Sequence, residues 1–149
     1  MGTIQLPPDF KDFLRSLNST GVEYLLIGGY AVGYHGYSRS TADMDVWVLR
    51  SADNARKIVA AVKGFGFNTP DVRESLFQEN NRIIRMGLPP LRIEILTDID
   101  GVTFAACRAA ADIVDIEGLQ VPVISLSDLK KNKKAAGRHK DLDDLEHLG

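Results

Sequence analysis

The segment DMDVWV, at residues 43–48, constrains the fold of this chain more than any other. Aliphatic residues alternate in it with Asp43, Asp45 and Trp47, and this period of two predicts a strand that carries both carboxylates on one face. Two neighbouring carboxylates in a buried strand are unfavourable, because each loses its hydration and repels the other. We therefore expect a positively charged partner beside Asp43 and Asp45.

A glycine pair precedes this strand by a short spacer. Gly28 and Gly29 follow an apolar run at 24–27 and precede a short helix at Ala31–Tyr34, so the sequence predicts a strand, a glycine turn and a helix. A turn of this kind lets a triphosphate approach the backbone closely, and the N–H groups at the start of a helix attract phosphate.

A third acidic residue is expected on a neighbouring strand. The runs 82–86 and 91–96 flank the sequence GLPP and predict a β-hairpin, with Arg92 and Glu94 on one face of its second strand. In the earlier strand, two carboxylates at i and i+2 lie roughly 7 Å apart at their Cα atoms, which suits chelation of a hard divalent cation. Glu94 is the residue best placed to complete the cluster. A divalent ion beside a triphosphate is the arrangement of phosphoryl and nucleotidyl transfer.

The remaining pattern predicts helices around a small sheet. We expect a first helix after Pro7-Pro8 that ends near Gly21, a helix capped by Ser51, a helix at 104–111, a hairpin at 113–124, and two final helices, at 126–136 and around Leu142. The predicted fold class is α/β, a small mixed sheet flanked by helices in one domain that spans residues 1–149.

Composition limits the other classes. The chain is 44% hydrophobic and 26% charged with a formal net charge of −2, and no apolar run reaches the roughly 18 residues that span a bilayer. The first residues carry no export signal, so we expect a cytoplasmic protein without a membrane partner. The single Cys107 lies among alanines, where a helix would bury it as a small apolar residue.

These motifs resemble the nucleotidyltransferase superfamily of the DNA polymerase β type. Its signature is an apolar residue, a Gly-Gly or Gly-Ser pair, a spacer and then Asp-x-Asp or Asp-x-Glu, and IGG followed by DMDVWV matches it. More narrowly, residues 25–48 and the C-terminal LKKNKKAAGRHKDLDDLEHL are similar to a small bacterial group that includes abortive-infection, toxin-type nucleotidyltransferases. The resemblance implies a minimal nucleotidyltransferase fold.

The resemblance also implies roles for individual residues. Asp43, Asp45 and Glu94 would be the catalytic acids and would bind two Mg²⁺ ions, with Mn²⁺ as a substitute. The nucleoside triphosphate, ATP for example, would lie near the residues that match the family motifs, which are Gly28, Gly29, Arg39, Thr41, Lys133 and Arg138. Asp141 would be a structural partner of one of the last two.

Other polar residues have simpler explanations. His35 is expected at a helix end, where an imidazole can satisfy free carbonyl groups. Asp98 and Asp100 imitate the start of a calcium-binding loop, but the later ligands are missing, so the segment is predicted to be a turn.

Two kinds of function remain open at the level of sequence. The first is transfer of a nucleoside monophosphate to a hydroxyl group of RNA or tRNA, of a protein or of a small molecule, with release of pyrophosphate. The alternative keeps the fold without the turnover, as a nucleotide-binding or partner-binding module such as one component of a toxin–antitoxin pair. A metal-dependent phosphatase or nuclease ranks last, because it would require more clustered histidine or acidic ligands than this sequence has.

Overall fold

The computed structural model describes residues 4–37, 41–87 and 91–149. Its strands are β1 (Tyr24–Ile27), β2 (Asp43–Val48), β3 (Ile83–Met86), β4 (Arg92–Leu96), β5 (Asp112–Ile116) and β6 (Leu119–Val123). Its α-helices are α1 (Pro8–Thr20), α2 (Gly28–Tyr34), α3 (Ala52–Phe65), α4 (Phe104–Ala109), α5 (Leu126–Ala136) and α6 (His139–Leu148), and a 3-10 helix covers Glu74–Gln78.

The described strands form one mixed sheet in the order β3-β4-β2-β1-β6-β5. Strand β2 runs antiparallel to β1 and parallel to β4, and the second register pairs Asp43 with Arg92 and Asp45 with Glu94. Strand β3 is antiparallel to β4, and β6 is parallel to β1. The predicted α/β class, a mixed sheet with flanking helices, is confirmed.

The core forms because the apolar stripes of the helices cover the sheet. All four residues of β1 are buried, and α1 buries Phe10, Phe13, Leu14 and Leu17. The ring of Phe13 meets that of Phe65 on α3 edge to face at 5.2 Å, and Trp47 of β2 meets Phe104 of α4 at 5.1 Å. Each fully buried side chain of this size contributes about 1.5–3 kcal/mol to folding. This packing fixes β2 in the middle of the sheet.

Helix ends follow the capping residues of the sequence. The hydroxyl of Ser51 accepts a hydrogen bond from the N–H of Asn54 at 3.1 Å, and that of Ser125 accepts one from the N–H of Asp128 at 3.1 Å. Helix α1 ends at Gly21, whose φ of 76° lies in the left-handed region that glycine adopts most easily. The cap predicted at Ser51 and the helix end predicted near Gly21 are therefore confirmed.

Two helices differ in extent from the prediction. Helix α2 begins at Gly28 rather than at Ala31, because the glycine pair itself forms its first turn. Helix α4 ends at Ala109, and the 3-10 helix, which buries Phe77, was not predicted. Within residues 4–37, 41–87 and 91–149, no helix combines the length and the apolar character that crossing a membrane requires.

Candidate active site

Three acidic side chains meet at one end of the paired strands β2 and β4. Asp43 and Asp45 project from the same face of β2, and Glu94 is the register partner of Asp45 on β4. All three line one cleft, in which Asp43 is 30% and Glu94 is 14% exposed. Parallel pairing in this register is what brings Glu94 to the pair, so the cluster depends on residues far apart in the chain.

The glycine pair packs closely against Asp45 and Thr41. Gly28 has a φ of 69°, and a Cβ atom added to it would overlap the Oδ2 atom of Asp45. A Cβ atom on Gly29 would lie 2.5 Å from the Oγ1 atom of Thr41, whose hydroxyl donates to the backbone carbonyl of Asp43 at 3.1 Å. The backbone of 28–29 thus lies against β2 at a distance that only glycine permits.

Asp45 is the most electrostatically strained of the acids. Burial, followed by the negative charges of Glu94 and Asp43, raises its pKa to about 6 despite the opposing charges of Lys140 and Lys133. No side chain among the described residues forms an ion pair with it. The repulsion from the two neighbouring acids is therefore not offset by a direct ion pair within the described part of the chain.

Arg92 supplies positive charge to the other two acids. Its Nη2 atom lies 2.9 Å from Oδ2 of Asp43 and 3.4 Å from Oε1 of Glu94. Burial acts to raise the pKa of Asp43, but hydrogen bonding with Arg92 and Glu94 and the charge of Arg92 outweigh it and hold the pKa below its ordinary value. Arg85 of β3 reaches Glu94 from a more exposed position, at 3.6 Å.

The C-terminal helices bring basic residues to the opposite wall. Lys133 of α5 is only 4% exposed, and its Nζ atom lies 3.2 Å from Asp141 and 3.0 Å from Asp144 of α6. Arg138 donates from Nε to Oδ2 of Asp141 at 2.7 Å. This buried network holds α5 and α6 together. Lys133 is therefore mainly neutralised by α6, although it still borders the cleft.

Lys140 was not selected from the sequence, yet its charge has a larger effect on the pKa of Asp45 than the charge of Lys133. Its charge acts on both Asp43 and Asp45, and it lines both halves of the cleft. In the sequence it is one of several cations in a basic run, and only the packing of α6 distinguishes it from its neighbours.

The cleft has two halves that meet at Asp45. One half, of about 270 Å³, extends from Gly28 past Ile99 to Asn132 on α5. The other, of about 470 Å³, extends from Asp45 past Thr41 and Glu94. The aliphatic side chain of Ile83, 46% exposed, lines both halves together with Arg138 and Lys140. Asp45 itself lines both halves, so a ligand in either half could contact it.

The other residues singled out in the sequence are held in structural contacts or lie outside the described residues. Arg39 lies outside the described residues. His35 contacts the carbonyl oxygen of Ile124 through Nε2 at 2.7 Å, and Cys107 is buried, with a pKa that burial, as the largest cause, raises to about 12. Asp98 accepts from the backbone N–H of Asn81 at 2.7 Å, which gives it a structural role in the cleft wall.

The donor set at the acids suits a hard divalent cation. Mg²⁺ prefers carboxylate oxygens, and Asp43, Asp45 and Glu94 present such oxygens to one cleft. In the parts of the chain that the structure describes, no group of three or more His, Cys, Asp or Glu side chains is arranged as a metal-binding cluster. The acids fit the ion in the chemistry of their oxygens but are not arranged as a preformed metal site, and Arg92 contacts both Asp43 and Glu94.

This architecture is also found in solved structures of other proteins. No protein-family model matches the chain, and a sequence search of curated proteins finds no match. Among solved structures it is similar to TM1012 from Thermotoga maritima, provisionally assigned as a nucleotidyltransferase, at 15% identity and a TM-score of 0.60, over 96% of this chain and 94% of that one.

The antibiotic-resistance factor ANT(2'')-Ia is also similar. Its solution structure matches at 13% identity and a TM-score of 0.60, over 94% of this chain and 80% of that one. Its crystal structure in complex with adenylyl-2''-tobramycin matches at 11% identity and a TM-score of 0.58, over 93% and 84%. These likenesses confirm at the level of fold what the sequence motifs predicted, and the chain has the nucleotidyltransferase fold.

Proposed function

We propose that the protein is a metal-dependent nucleotidyltransferase, which transfers a nucleoside monophosphate from a nucleoside triphosphate to an acceptor hydroxyl and releases pyrophosphate. The observation that carries this proposal is the register of β2 and β4, which sets Asp45 opposite Glu94 beneath Gly28 and within reach of the charge of Lys140. Acids for a metal and cations for a polyanion thus share one cleft.

Each part of the cleft has a distinct task in this proposal. Asp43, Asp45 and Glu94 would hold two Mg²⁺ ions, which when bound stabilise the charge on the attacking and leaving oxygens. Arg138 and Lys140 would bind the triphosphate by charge and by charge-assisted hydrogen bonds. Gly28 and Gly29 leave room for the phosphates beside the backbone.

The two halves of the cleft support a two-substrate reaction. Attack on an α-phosphorus requires the acceptor oxygen and the departing pyrophosphate on opposite sides of the phosphorus. Asp45 stands at the junction of the two halves, so a nucleotide in one and an acceptor in the other would meet beside it. The adenylyl group on tobramycin in the complex of ANT(2'')-Ia supports transfer of a nucleotide within this fold.

A labelling experiment tests the proposal. The protein is incubated with each α-³²P-labelled nucleoside triphosphate, Mg²⁺ or Mn²⁺, and in separate reactions total RNA, total protein or a small-molecule extract. We expect label in one acceptor fraction, and loss of that label in Asp43→Ala and in Asp45→Ala. Asp53→Ala is the matched control, because Asp53 is an exposed acid on α3 that pairs with Lys57 outside the cleft.

The outcomes separate the enzyme from its alternative. Label that survives both active-site substitutions would refute the metal site. Metal-dependent triphosphate binding without transfer to any acceptor would support a nucleotide-binding or partner-binding module, for example a toxin–antitoxin component. Arg92 favours the binding module over the enzyme, because it forms ion pairs with Asp43 and Glu94, and these carboxylates would have to bind metal for turnover.

A further inference from the structure

The acid cluster already contains a cation of the protein's own. Nη2 of Arg92 bridges Asp43 at 2.9 Å and Glu94 at 3.4 Å, although these carboxylates are the ones that would bind metal. Asp43 is its direct partner in the β2–β4 register, so the backbone itself places this guanidinium beside the acids.

The contacts of Arg92 are incomplete. Its Nε atom is buried and has no hydrogen-bond partner among the described residues. A buried donor left unpaired is costly, and an arginine that is bound to carboxylates usually satisfies more of its donors. Arg92 is therefore held through Nη2, by a hydrogen bond to Asp43 and an ion pair with each of Asp43 and Glu94, and not by a full set of hydrogen bonds.

The charges that line the cleft also disfavour binding of a free divalent cation. Among the described residues that line its larger half, the three acids face four basic residues, which are Arg85, Arg92, Arg138 and Lys140. This half thus offers little net attraction to a free divalent cation. A triphosphate, with about four negative charges at neutral pH, would reverse that balance when it binds.

We propose that Arg92 is a competing internal cation of the metal site, which a divalent ion must displace from Asp43 and Glu94, so that the ion binds tightly only together with the triphosphate. The inference rests on the proposed function for the identity of the site. In this proposal Arg92 determines how tightly the divalent ion binds and whether it binds before the triphosphate. It takes no part in the chemical step.

Metal binding without nucleotide tests this role directly. Free Mn²⁺ is titrated with the metal-free protein and followed by its electron paramagnetic resonance signal. Removal of a positive charge about 4 Å from a divalent ion should tighten binding, and we expect Arg92→Gln to bind Mn²⁺ at least about tenfold more tightly than the wild type. Arg92→Lys keeps the charge and should stay within about threefold of the wild type.

Two controls isolate the effect. Arg85→Gln removes an arginine that contacts the same Glu94 but is 53% exposed, and solvent screening should limit its effect to about threefold. The double variant Asp43→Asn/Arg92→Gln should lose the gain of Arg92→Gln. Circular dichroism verifies that each variant is folded.

The coupling to nucleotide is measured in the same variants. A fluorescent α,β-methylene triphosphate, which cannot be cleaved, is titrated with and without Mn²⁺. We expect Mn²⁺ to strengthen its binding by a larger factor in the wild type than in Arg92→Gln, because only in the wild type does the triphosphate offer a new anionic partner to the guanidinium that the ion displaces.

Failure of this inference is distinguishable from failure of the proposed function. If Arg92→Gln binds Mn²⁺ no more tightly than the wild type while Asp45→Asn abolishes binding, the metal site stands and the role of Arg92 is overturned. If no variant binds Mn²⁺ with or without the triphosphate analogue, the metal site of the proposed function falls and the inference falls with it.

Discussion

Asp45 faces Glu94 directly across the parallel β2–β4 pair, and the backbone of Gly28 covers the Oδ2 atom of Asp45. An acid opposite an acid is unfavourable for folding, because the two charges repel in a place where water is partly excluded. The pair lines the candidate active-site cleft, and binding sites are where proteins keep such groups at the expense of stability.

Replacement of Asp45 by asparagine should stabilise the metal-free protein. The pKa of Asp45 is about 6 in the folded protein and about 3.9 in an unfolded chain. At pH 7 the ionised carboxylate therefore lowers the free energy of unfolding by about 1–3 kcal/mol. Urea unfolding in EDTA at pH 7.5 should show Asp45→Asn as the more stable protein by this order of magnitude.

The same advantage should shrink as the pH falls. Between about pH 6 and pH 4 the folded wild type takes up a proton at Asp45 that the unfolded chain does not, so the wild type gains stability relative to Asp45→Asn. Unfolding at a series of pH values should show the two proteins converge towards pH 4. A wild type that is more stable than Asp45→Asn at pH 7.5 would contradict the strained carboxylate.

Gly28 should not tolerate a side chain. Gly28→Ala forces a left-handed backbone on alanine and sets its methyl group against Asp45, and we expect a loss of about 2 kcal/mol in the free energy of unfolding together with loss of triphosphate binding. Gly33→Ala is the control on the same helix. A Cβ atom there has no neighbour within 4 Å, so helix propensity should make this variant equal to or slightly more stable than the wild type.

Lys133 should matter more for stability than any exposed lysine of α5. In Lys133→Met the buried carboxylates of Asp141 and Asp144 lose a shared partner, and unfolding should become easier by about 3–5 kcal/mol. Lys131→Met removes an exposed lysine 3.9 Å from Asp128 and should change stability by less than about 1 kcal/mol. Stability is measured by thermal and urea unfolding. If Lys133→Met and Lys131→Met lowered stability equally, the buried network would not be what holds α5 to α6.

Lys140 should contribute to triphosphate binding with little effect on stability. Lys140→Ala removes a cation from both halves of the cleft, and we expect about tenfold weaker binding of Mg²⁺ complexes of non-cleavable triphosphate analogues by isothermal titration calorimetry. Lys134→Ala provides the comparison, since Lys134 lies in the last turn of α5 and does not line the cleft. Unchanged affinity in Lys140→Ala would remove this residue from the phosphate site.

The sequence predicts those parts of this site that depend on local spacing. The i, i+2 pattern puts Asp43 and Asp45 on one face of β2, and the glycine pair marks the turn before α2, because both features follow from backbone geometry over a few residues. The alternation of side chains along a strand likewise predicts that Arg92 and Glu94 lie on one face of β4. The order and bounds of the predicted strands were largely confirmed for the same reason.

The remaining features depend on contacts between distant segments. The pairing of Asp43 with Arg92 is fixed by the register of β2 with β4, for which a single sequence carries no local signal. The burial of Lys133 depends on how α5 packs against α6, so a run of lysines gives no indication of which one is enclosed. Lys140 was overlooked for the same reason.

The buried link between α5 and α6 also has a consequence for local unfolding of the protein. The acids of the cleft come from β2 and β4, whereas Arg138 and Lys140 lie at the start of α6. If α5 and α6 opened together, the sheet would keep its acids but would lose the basic wall of the cleft. A partly open form of this kind would present the acids alone, and under the proposed function it would hold a phosphate again only after α6 had packed back.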